Sequence, residues 1–327
     1  MNDMYAVTFS APGQVEFLPR AFDTRPPGPR EIVGRTVRSL ISPGTEVAGL
    51  LGQWPGGTQY PAVPGYAAVF EVSEAGAEVD DLKPGDLAFC MGGHQSMQRA
   101  AREHVVPLPA GLSPDRAPFA RLMCVTMSTL TTTTARPPAK VIVTGLGIVG
   151  HLGAQLFDAC GYEVIAVDPV AARRDIAARA GIKTVLPAIP LDDPEVAGKV
   201  ALVIECSGHE QAIFDACKVA QKRGEVALVA AMWQRKTDLY AYDVLHAIFN
   251  RYVVVRSGWE WEVPLLPTDF RPNSIYGNIA GAMRWLAEGR VRVDRLAETI
   301  SPREAQRAYE QLRRQPERGL TFLFDWT

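Results

Sequence analysis

The stretch VIVTGLGIVG at residues 141–150, followed by VIAVD at residues 164–168, decides the fold of this chain. Four β-forming residues run into Gly145, Gly147 and Gly150, and an apolar helix-like segment follows. In this pattern the first glycine makes a tight turn, the second lets the backbone approach a pyrophosphate, and the third allows close helix–strand packing. The helix N-terminus adds unpaired N–H groups and a positive dipole end. The motif therefore predicts a dinucleotide-binding unit.

The second strand of this unit ends in Asp168, 18 residues after Gly150. A carboxylate there would accept ribose hydroxyls and repel a 2′-phosphate, so we expect NAD rather than NADP. Arg173 could accommodate that phosphate, which keeps NADP open. A glycine-rich turn in another kind of α/β protein is the alternative to dinucleotide binding. The residues expected at the cofactor are Gly145, Leu146, Gly147, Ile148, Val149, Gly150, Asp168, Arg173, Cys206, Ser207, Gly208 and Ala230.

Downstream of the motif, apolar strand-like segments alternate with helix-like segments. This alternation predicts an α/β domain with a parallel, doubly wound sheet. The expected strands lie at 141–144, 163–167, 183–186, 200–205, 225–230 and 252–256, and the expected helices at 151–160, 170–180 and 209–222.

Upstream of residue 121 the chain is rich in proline and glycine, and it predicts a small all-β unit. Turn signals separate short β-like segments, which lie at 31–37, 67–72, 87–90 and 104–107. In the tail, residues 278–288 indicate a helix. A further helix is expected at 301–314, because Ser301, Pro302 and Glu304 suit the N-cap, N1 and N3 positions of a helix start.

The composition limits the classes of function. A length of 327 residues corresponds to about two ordinary domains, and a net charge of −2 gives no reason to expect a nucleic acid or a membrane as partner. The apolar runs are too short to span a bilayer, and residues 1–20 lack the pattern of a secretory signal. Five cysteines without a CxxC pair are typical of reduced thiols, so we expect a cytoplasmic protein.

The order of these features resembles the medium-chain dehydrogenase/reductase superfamily, the alcohol and sorbitol dehydrogenase-like enzymes. Its marks here are YPAVPGY at 60–66, KPGD at 83–86, the glycine motif, and VIECSG at 203–208. The segment SPGTE at 42–46 is similar to the branch whose first loop reads S-x-G-T-E. That branch includes bacteriochlorophyllide dehydrogenase-like proteins and proteins of the sugar- or cyclitol-oxidising type.

The resemblance implies two domains and a dimer. A Rossmann domain, a doubly wound parallel sheet, would span 122–258, and a GroES-like, β-rich catalytic domain would be formed by 1–121 and 259–327. In this superfamily the sheet edge that corresponds to the apolar residues 253–255 builds a homodimer, and exposed edges of this kind invite pairing. Aromatic residues that follow could line a substrate pocket or pack at the domain junction: Trp259, Trp261 and Tyr276.

The chain departs from the zinc-dependent pattern of the superfamily at each ligand position. Those enzymes use a Cys in the first loop, a His-Glu pair after a glycine, and a Cys or Glu before the Rossmann domain. Here these positions fall at Ser42 or Pro43, at Tyr66 and at about Arg121. The four-cysteine structural zinc lobe is missing as well, so we expect no zinc of either kind. A rearranged zinc site of Cys90, His94 and Glu46 is the alternative.

Without a metal, acid–base side chains must handle the proton that accompanies hydride transfer. Thr45 matches a hydroxyl that touches substrate in the family, and Tyr66 would enter the same cleft; a turn-capping threonine and an aromatic plug are the alternatives. His94 is a further acid–base candidate that is expected to rim the cleft, or else it is structural. Glu46 and Arg121 could form an ion pair in the space of the zinc, or Arg121 could lie solvated at a domain junction.

Together these features predict a zinc-independent, NAD-dependent oxidoreductase that transfers hydride between a secondary alcohol and its ketone. The expected substrate is a small molecule: a polyol, a sugar, a cyclitol or a secondary-metabolite alcohol. Two alternatives stay open. One is an NADPH-dependent quinone or enoyl reductase, and the other is a catalytically weak protein that binds NAD(H) as a sensor or subunit.

Overall fold

A computed structural model describes residues 4–271, 273–314 and 319–327 of the chain. These residues divide into two compact units. Unit 1 comprises Met1–Arg121, Ile279–Gly289 and Val293–Thr327, and unit 2 comprises Leu122–Asn278 and Arg290–Arg292. Residues 259–278 therefore group with unit 2, whereas the sequence analysis grouped them with the catalytic domain. Residues 1–3, 272 and 315–318 of the expected domains lie outside the described residues.

Fifteen strands and eight α-helices are present in these described residues. The strands are β1 (Met4–Ala11), β2 (Gln14–Arg20), β3 (Glu31–Leu40), β4 (Ala68–Ala75), β5 (Leu87–Cys90), β6 (Met97–Ala101), β7 (Val105–Pro107), β8 (Lys140–Thr144), β9 (Glu163–Val167), β10 (Thr184–Leu186), β11 (Val200–Glu205), β12 (Ala220–Leu228), β13 (Val254–Ser257), β14 (Ala297–Ile300) and β15 (Thr321–Asp325). The helices are α1 (Pro43–Leu50), α2 (Phe119–Thr132), α3 (Ile148–Ala159), α4 (Ala171–Arg179), α5 (Glu210–Val219), α6 (Ala241–Arg251), α7 (Ile275–Ala287) and α8 (Ala305–Arg314). Within the described ranges, no helix has the length and apolar composition needed to cross a membrane.

Unit 2 is built on a parallel sheet of six strands in the order β10-β9-β8-β11-β12-β13. Strand β11 is buried along its whole length, as a central parallel strand covered on both faces should be. Val143 of β8 lies opposite Ala166 of β9 on one side and Ile204 of β11 on the other. The predicted parallel, doubly wound sheet is confirmed. Strand β13 lies at one end of it.

Unit 1 contains a β-sheet of seven strands and a separate hairpin, β1 paired with β2. The order in the larger sheet is β14-β15-β3-β4-β5-β7, and β6 pairs with β3 as well. Fully buried aromatic side chains form its core: Phe9, Phe70, Phe89, Tyr309, Phe322 and Phe324. The predicted helix start at Ser301 is confirmed as a capping box with Glu304, although a 3-10 turn at 302–304 precedes α8. The predicted β-rich unit is therefore present.

Several elements differ from the sequence-based prediction because tertiary contacts override local preference. Helices α1, α2 and α6 and the hairpin of β1 and β2 were not predicted, and β12 begins inside the segment expected to end a helix. The end of α2 shows the cause. Glu225 of β12 accepts the Thr134 backbone N–H at 2.7 Å and the Thr133 hydroxyl at 3.1 Å, which stops the helix at the sheet.

His151 gives unit 2 a pH-sensitive stability. The side chain lies fully buried in α3, with its Nε2 2.9 Å from the Gln155 side-chain nitrogen. Burial lowers the pKa of His151 from 6.5 to about 4. Because the folded-state pKa is the lower one, the neutral ring contributes stability at and above pH 6.5 that is lost as the pH falls towards 4.

We expect the free energy of unfolding of unit 2 to fall by about 2 kcal/mol between pH 7 and pH 5 through His151. His151→Gln keeps a hydrogen-bonding side chain beside Gln155 but does not titrate, so it should remove most of this difference in urea unfolding. His246→Gln, the same change at an exposed position of α6, is the control and should leave the difference intact. Equal acid losses in wild type and His151→Gln would contradict the prediction.

Candidate functional site

The glycine motif forms the turn between β8 and α3, which we call the cradle. It leaves no room for a side chain at Gly145 or Gly150. Gly145 follows β8 with a φ of +80°, and a Cβ placed on it would lie 2.6 Å from the Ser207 nitrogen. A Cβ on Gly150 would lie 1.9 Å from the Gly145 carbonyl oxygen, so α3 packs directly on the turn. A Cβ on Gly147, the N-cap of α3, would meet nothing within 4 Å. The cradle is therefore tight at its base and open at the helix N-terminus, where phosphates bind.

Asp168 ties the end of β9 to this cradle. Its Oδ2 accepts the Leu146 backbone N–H at 2.7 Å, and its Oδ1 accepts the Val170 N–H at 2.8 Å. The Arg173 guanidinium lies 3.5 Å from Oδ2, and Asp168 is only 1% exposed. The carboxylate thus fixes the loop that would hold the cofactor. The sequence analysis predicted a contact of Asp168 with ribose but not this second role.

Glu205 is a functional residue that the sequence analysis missed. It lies buried at the end of β11, and its carboxylate accepts the Ser207 N–H at 2.7 Å, the Ser207 hydroxyl and the Gly208 N–H at 3.0 Å. Its backbone carbonyl accepts the Ala230 N–H at 2.9 Å. The signal was an acid at the end of an otherwise apolar strand, because such an acid needs donors close by.

The remaining candidates for the cofactor surround the same end of the sheet. Leu146 and Ile148 have buried side chains, and Val149 is half-buried, so these residues chiefly offer backbone groups. Burial and then Glu205 raise the pKa of Cys206 well above 9, which keeps the thiol protonated and unreactive. All the predicted cofactor residues follow the carboxyl ends of β8, β9, β11 and β12, where sheets of this class bind ligands.

In unit 1, three hydroxyl groups meet where the family's zinc ligands are expected. The Tyr66 hydroxyl donates to Ser42 Oγ at 2.5 Å and to Thr45 Oγ1 at 3.4 Å. Arg121 is buried, and its guanidinium carbon lies 4.7 Å from the centre of the Tyr66 ring. Burial raises the pKa of Tyr66, while the Arg121 charge and the Ser42 hydrogen bond oppose that rise. We refer to Ser42, Thr45, Tyr66 and Arg121 as the hydroxyl–arginine cluster.

Glu46 lies behind this cluster with partners other than the one expected. Its Oε1 accepts the Ser42 backbone N–H at 2.7 Å, and its Oε2 accepts the Tyr309 hydroxyl at 2.5 Å. His94 Nε2 lies 3.0 Å from the same Oε2. In place of the hypothesised ion pair with Arg121, three donors of unit 1 satisfy the buried carboxylate. Arg121 is also not solvated, because it lies buried against Tyr66.

His94 is fully buried, so the expectation that it rims a cleft is wrong. Its Nδ1 lies 2.8 Å from Ser39 Oγ, and its ring packs edge-on against Phe324 with centroids 5.0 Å apart. Gly65, with a φ of +100°, allows this approach, because a Cβ there would lie 2.8 Å from the imidazole. The histidine therefore orients Glu46 from inside the core.

The residues at the family's zinc positions do not fit a zinc ion. Tyr66 and Ser42 bond to each other, and the fixed cation of Arg121 lies over the Tyr66 ring, where a dication would be repelled. In the alternative site, His94 and Glu46 bind each other, with His94 Nε2 3.0 Å from Glu46 Oε2, and the Glu46 carboxylate already accepts hydrogen bonds from Ser42 and Tyr309. In the part of the chain that the structure describes, no group of three or more His, Cys, Asp or Glu side chains is placed to hold a metal.

The aromatic candidates for substrate binding differ in exposure within unit 2. Trp259 is 61% exposed and Trp261 is 50% exposed, whereas Tyr276 is buried near the start of α7. Trp259 is the N-cap of a 3-10 turn at 260–262 that follows β13, and Trp261 is the middle residue of that turn. Of these three candidates, the two tryptophans are therefore the exposed ones.

Comparisons with known proteins agree with this architecture. A family profile described as zinc-binding dehydrogenase matches residues 149–260. An alcohol dehydrogenase of Geobacillus stearothermophilus is 23% identical over 307 residues, which cover 82% of this chain and 84% of that protein. A structure described as a zinc-binding dehydrogenase from Sinorhizobium meliloti bound to NADP has a TM-score of 0.80 at 20% identity, and the match covers 99% of this chain and 100% of that one. Acetophenone reductase from Geotrichum candidum in complex with NAD has a TM-score of 0.81 at 17% identity and covers 99% and 98%.

These matches support the medium-chain dehydrogenase/reductase superfamily for this chain, and an oxidoreductase of that type. The predicted superfamily, fold class and enzyme class are confirmed. The segment matched by the zinc-binding dehydrogenase profile contains none of Ser42, Tyr66 and Arg121, so that name carries no information about zinc in this chain.

Gly147→Ala tests the cradle without disturbing the fold. The added methyl group meets no protein atom, so thermal unfolding should stay within about 2 °C of wild type. The methyl group would occupy space at the phosphate-binding helix N-terminus, so the dissociation constant for NADH should rise about ten-fold or more. Fluorescence titration measures this constant. Gly150→Ala, which clashes with the Gly145 carbonyl, should instead lower the unfolding temperature, and unchanged NADH binding in Gly147→Ala would contradict the assignment.

Proposed function

We propose that this protein is a zinc-independent, NAD-dependent oxidoreductase that interconverts a secondary alcohol and its ketone. The observation that supports this proposal most is the hydroxyl–arginine cluster, which occupies all three of the family's metal-ligand positions with groups that bind one another. A metal-free dehydrogenase needs a proton donor and acceptor for the reacting oxygen, and this cluster contains one.

The bound nicotinamide would supply or accept the hydride, and the residues of unit 1 would handle the proton. Tyr66, whose pKa burial raises, stays protonated near neutral pH and can donate its proton to a carbonyl oxygen. The phenolate that remains would be stabilised by the Arg121 cation over its ring and by the Ser42 hydroxyl. Thr45 is half-buried and 3.4 Å from the Tyr66 hydroxyl, so it is placed to orient the substrate oxygen.

Asp168 supports NAD as the preferred cofactor. Its negative charge lies at the end of β9 beside the glycine loop, where it would oppose a 2′-phosphate. The Arg173 guanidinium, the cation that could attract such a phosphate, lies 3.5 Å from Asp168 Oδ2 and is partly neutralised there. An NADPH-dependent quinone or enoyl reductase is therefore the weaker alternative.

Ketones and alcohols of small size are the proposed substrate class, namely polyols, sugars, cyclitols or secondary-metabolite alcohols. The similarity to an alcohol dehydrogenase and to an acetophenone reductase supports a hydroxyl-to-carbonyl reaction. All five cysteines are free thiols, which supports the cytoplasm as location.

A substrate panel with NAD and NADP, with and without a chelator, tests the proposal. Alcohol-dependent NADH formation should persist after chelation, and Tyr66→Phe should lower kcat by about 100-fold or more with little change in NADH affinity. Loss of turnover on chelation, or full activity of Tyr66→Phe, would refute the proposed mechanism. Tight NADH binding without turnover on any substrate would favour the sensor alternative.

We also propose that the protein forms a homodimer through the edge strand β13. The outward face of α6 continues this edge with apolar side chains, since Leu245 is 63% and Phe249 is 80% exposed. Tyr242, Tyr252 and Val254 are exposed beside them. A second copy of the chain would extend the sheet and cover this apolar face, whose exposure to water is otherwise unfavourable.

Phe249→Glu should convert the dimer into a monomer, because a charge would be buried at the centre of the apolar face. Sedimentation velocity at about 10 µM would measure the change in mass. Lys183→Glu, next to the opposite edge strand β10, is a matched control and should leave the mass unchanged. The prediction fails if wild type sediments as a monomer or if Phe249→Glu still sediments as a dimer.

A further inference from the structure

We infer that Tyr309, a residue of the last helix, positions the proton-handling phenol of Tyr66 by holding the Glu46 carboxylate against the Ser42 backbone. The inference rests on the proposed function of Tyr66 and adds a residue that the sequence pattern does not connect with it. Tyr309 lies 263 positions after Glu46 in the chain. The Tyr309 hydroxyl donates to Glu46 rather than to Tyr66, so its role is positioning rather than catalysis.

A continuous chain of short contacts leads from Tyr309 to Tyr66. The Tyr309 hydroxyl donates to Glu46 Oε2 at 2.5 Å, and Glu46 Oε1 accepts the Ser42 N–H at 2.7 Å. Ser42 Oγ then accepts the Tyr66 hydroxyl at 2.5 Å. Because Tyr309, Glu46 and Ser42 are all buried, a displacement at one end has little free volume in which to dissipate.

The Glu46 carboxylate depends on all three of its donors. A buried carboxylate is tolerated only while its oxygens accept hydrogen bonds. Ser42 serves one oxygen, and Tyr309 shares the other with His94. Without the Tyr309 hydroxyl, the imidazole would be the one partner left at Oε2, and the carboxylate would turn towards it. The contact from Oε1 to the Ser42 N–H would then lengthen.

Tyr309 is held rigidly enough to act as such a support. Its ring packs edge-on against Phe9 with centroids 5.1 Å apart, and its side chain is fully buried in α8. Burial and then the Glu46 charge raise the pKa of Tyr309 well above 10, so its hydroxyl remains a donor wherever the enzyme is folded and active. Because this hydroxyl donates to Glu46 inside the core of unit 1, it has no access to a substrate atom, which again indicates positioning.

A second series of contacts connects the C-terminal segment to the Glu46 carboxylate. Trp326 Nε1 donates to Ser39 Oγ at 2.9 Å, and Ser39 Oγ lies 2.8 Å from His94 Nδ1. His94 Nε2 then faces Glu46 Oε2 at 3.0 Å. Two residues near the end of the chain, Tyr309 and Trp326, therefore restrain Glu46 from two directions.

Tyr309→Phe tests the inference, with Tyr60→Phe as a matched control. The Tyr60 hydroxyl donates to the Gly49 and Leu50 carbonyls at the far end of α1, so Tyr60→Phe removes a hydroxyl that binds α1 without touching Glu46. We expect Tyr309→Phe to lower kcat about ten-fold on the best substrate of the panel, with KM and NADH affinity within about two-fold of wild type. Tyr60→Phe should leave kcat within about two-fold.

A readout without turnover separates this inference from the proposed function. In protein labelled with ¹³C at the tyrosine Cζ, the Tyr66 signal, assigned with Tyr66→Phe, should shift in Tyr309→Phe and stay in place in Tyr60→Phe. Glu46→Gln should shift the same signal, which keeps the test valid if Tyr309→Phe does not fold. If the Tyr66 signal and kcat of Tyr309→Phe match those of Tyr60→Phe, Tyr309 is only a core residue. Absence of turnover on every substrate would refute the proposed function, while the signal would still decide the inference.

Discussion

The buried carboxylate of Glu46 is the constraint on which the organisation of unit 1 depends. A carboxylate in an apolar core is costly unless donors surround it, and three donors from distant parts of the chain converge here. Ser42 comes from the start of α1, His94 from the loop between β5 and β6, and Tyr309 from α8. The hydrogen bonds that satisfy one charge therefore also fix the position of the N-terminus of α1, which carries two hydroxyls of the hydroxyl–arginine cluster.

Unit 2 contains two further buried carboxylates that fix neighbouring segments through hydrogen bonds. Asp168 and Glu205 are buried acids at the carboxyl ends of β9 and β11, and each accepts backbone N–H groups from a loop of the cofactor cradle. Loops at such positions have few apolar contacts to fix them, so hydrogen bonds to charged groups, the stronger kind, do so instead. The predicted cofactor cradle is thus itself stabilised by two buried carboxylates, which accept hydrogen bonds from its own loops.

Much of the fold could be predicted from local sequence patterns. Features that depend on contacts between residues far apart in the chain could not be predicted. The glycine motif specifies its own turn through short-range sterics, so the parallel sheet could be predicted, and the Ser301 cap could be predicted from its local pattern. His94 could not be placed correctly, because its burial depends on Ser39 and Phe324, which are far from it in the chain. The hypothesis for Glu46 was an ion pair with Arg121, a residue of opposite charge. Its partners in the structure include Tyr309, whose hydroxyl carries no formal charge. Helix α6 was missed because its exposed face is apolar, which obscures the amphipathic pattern of a surface helix.

The replacement of metal ligands by the hydroxyl–arginine cluster changes the chemistry that the site favours. A zinc ion acidifies an alcohol that it binds, so it promotes loss of the alcohol proton. A buried phenol with a raised pKa instead holds its proton and releases it only to a strongly basic oxygen, such as the alkoxide that forms as hydride reaches a carbonyl carbon. Arg121 lowers the cost of the phenolate that follows, and Ser42 keeps a hydrogen bond to it. Under the proposed mechanism, the proton transfer is then coupled to hydride arrival rather than preceding it.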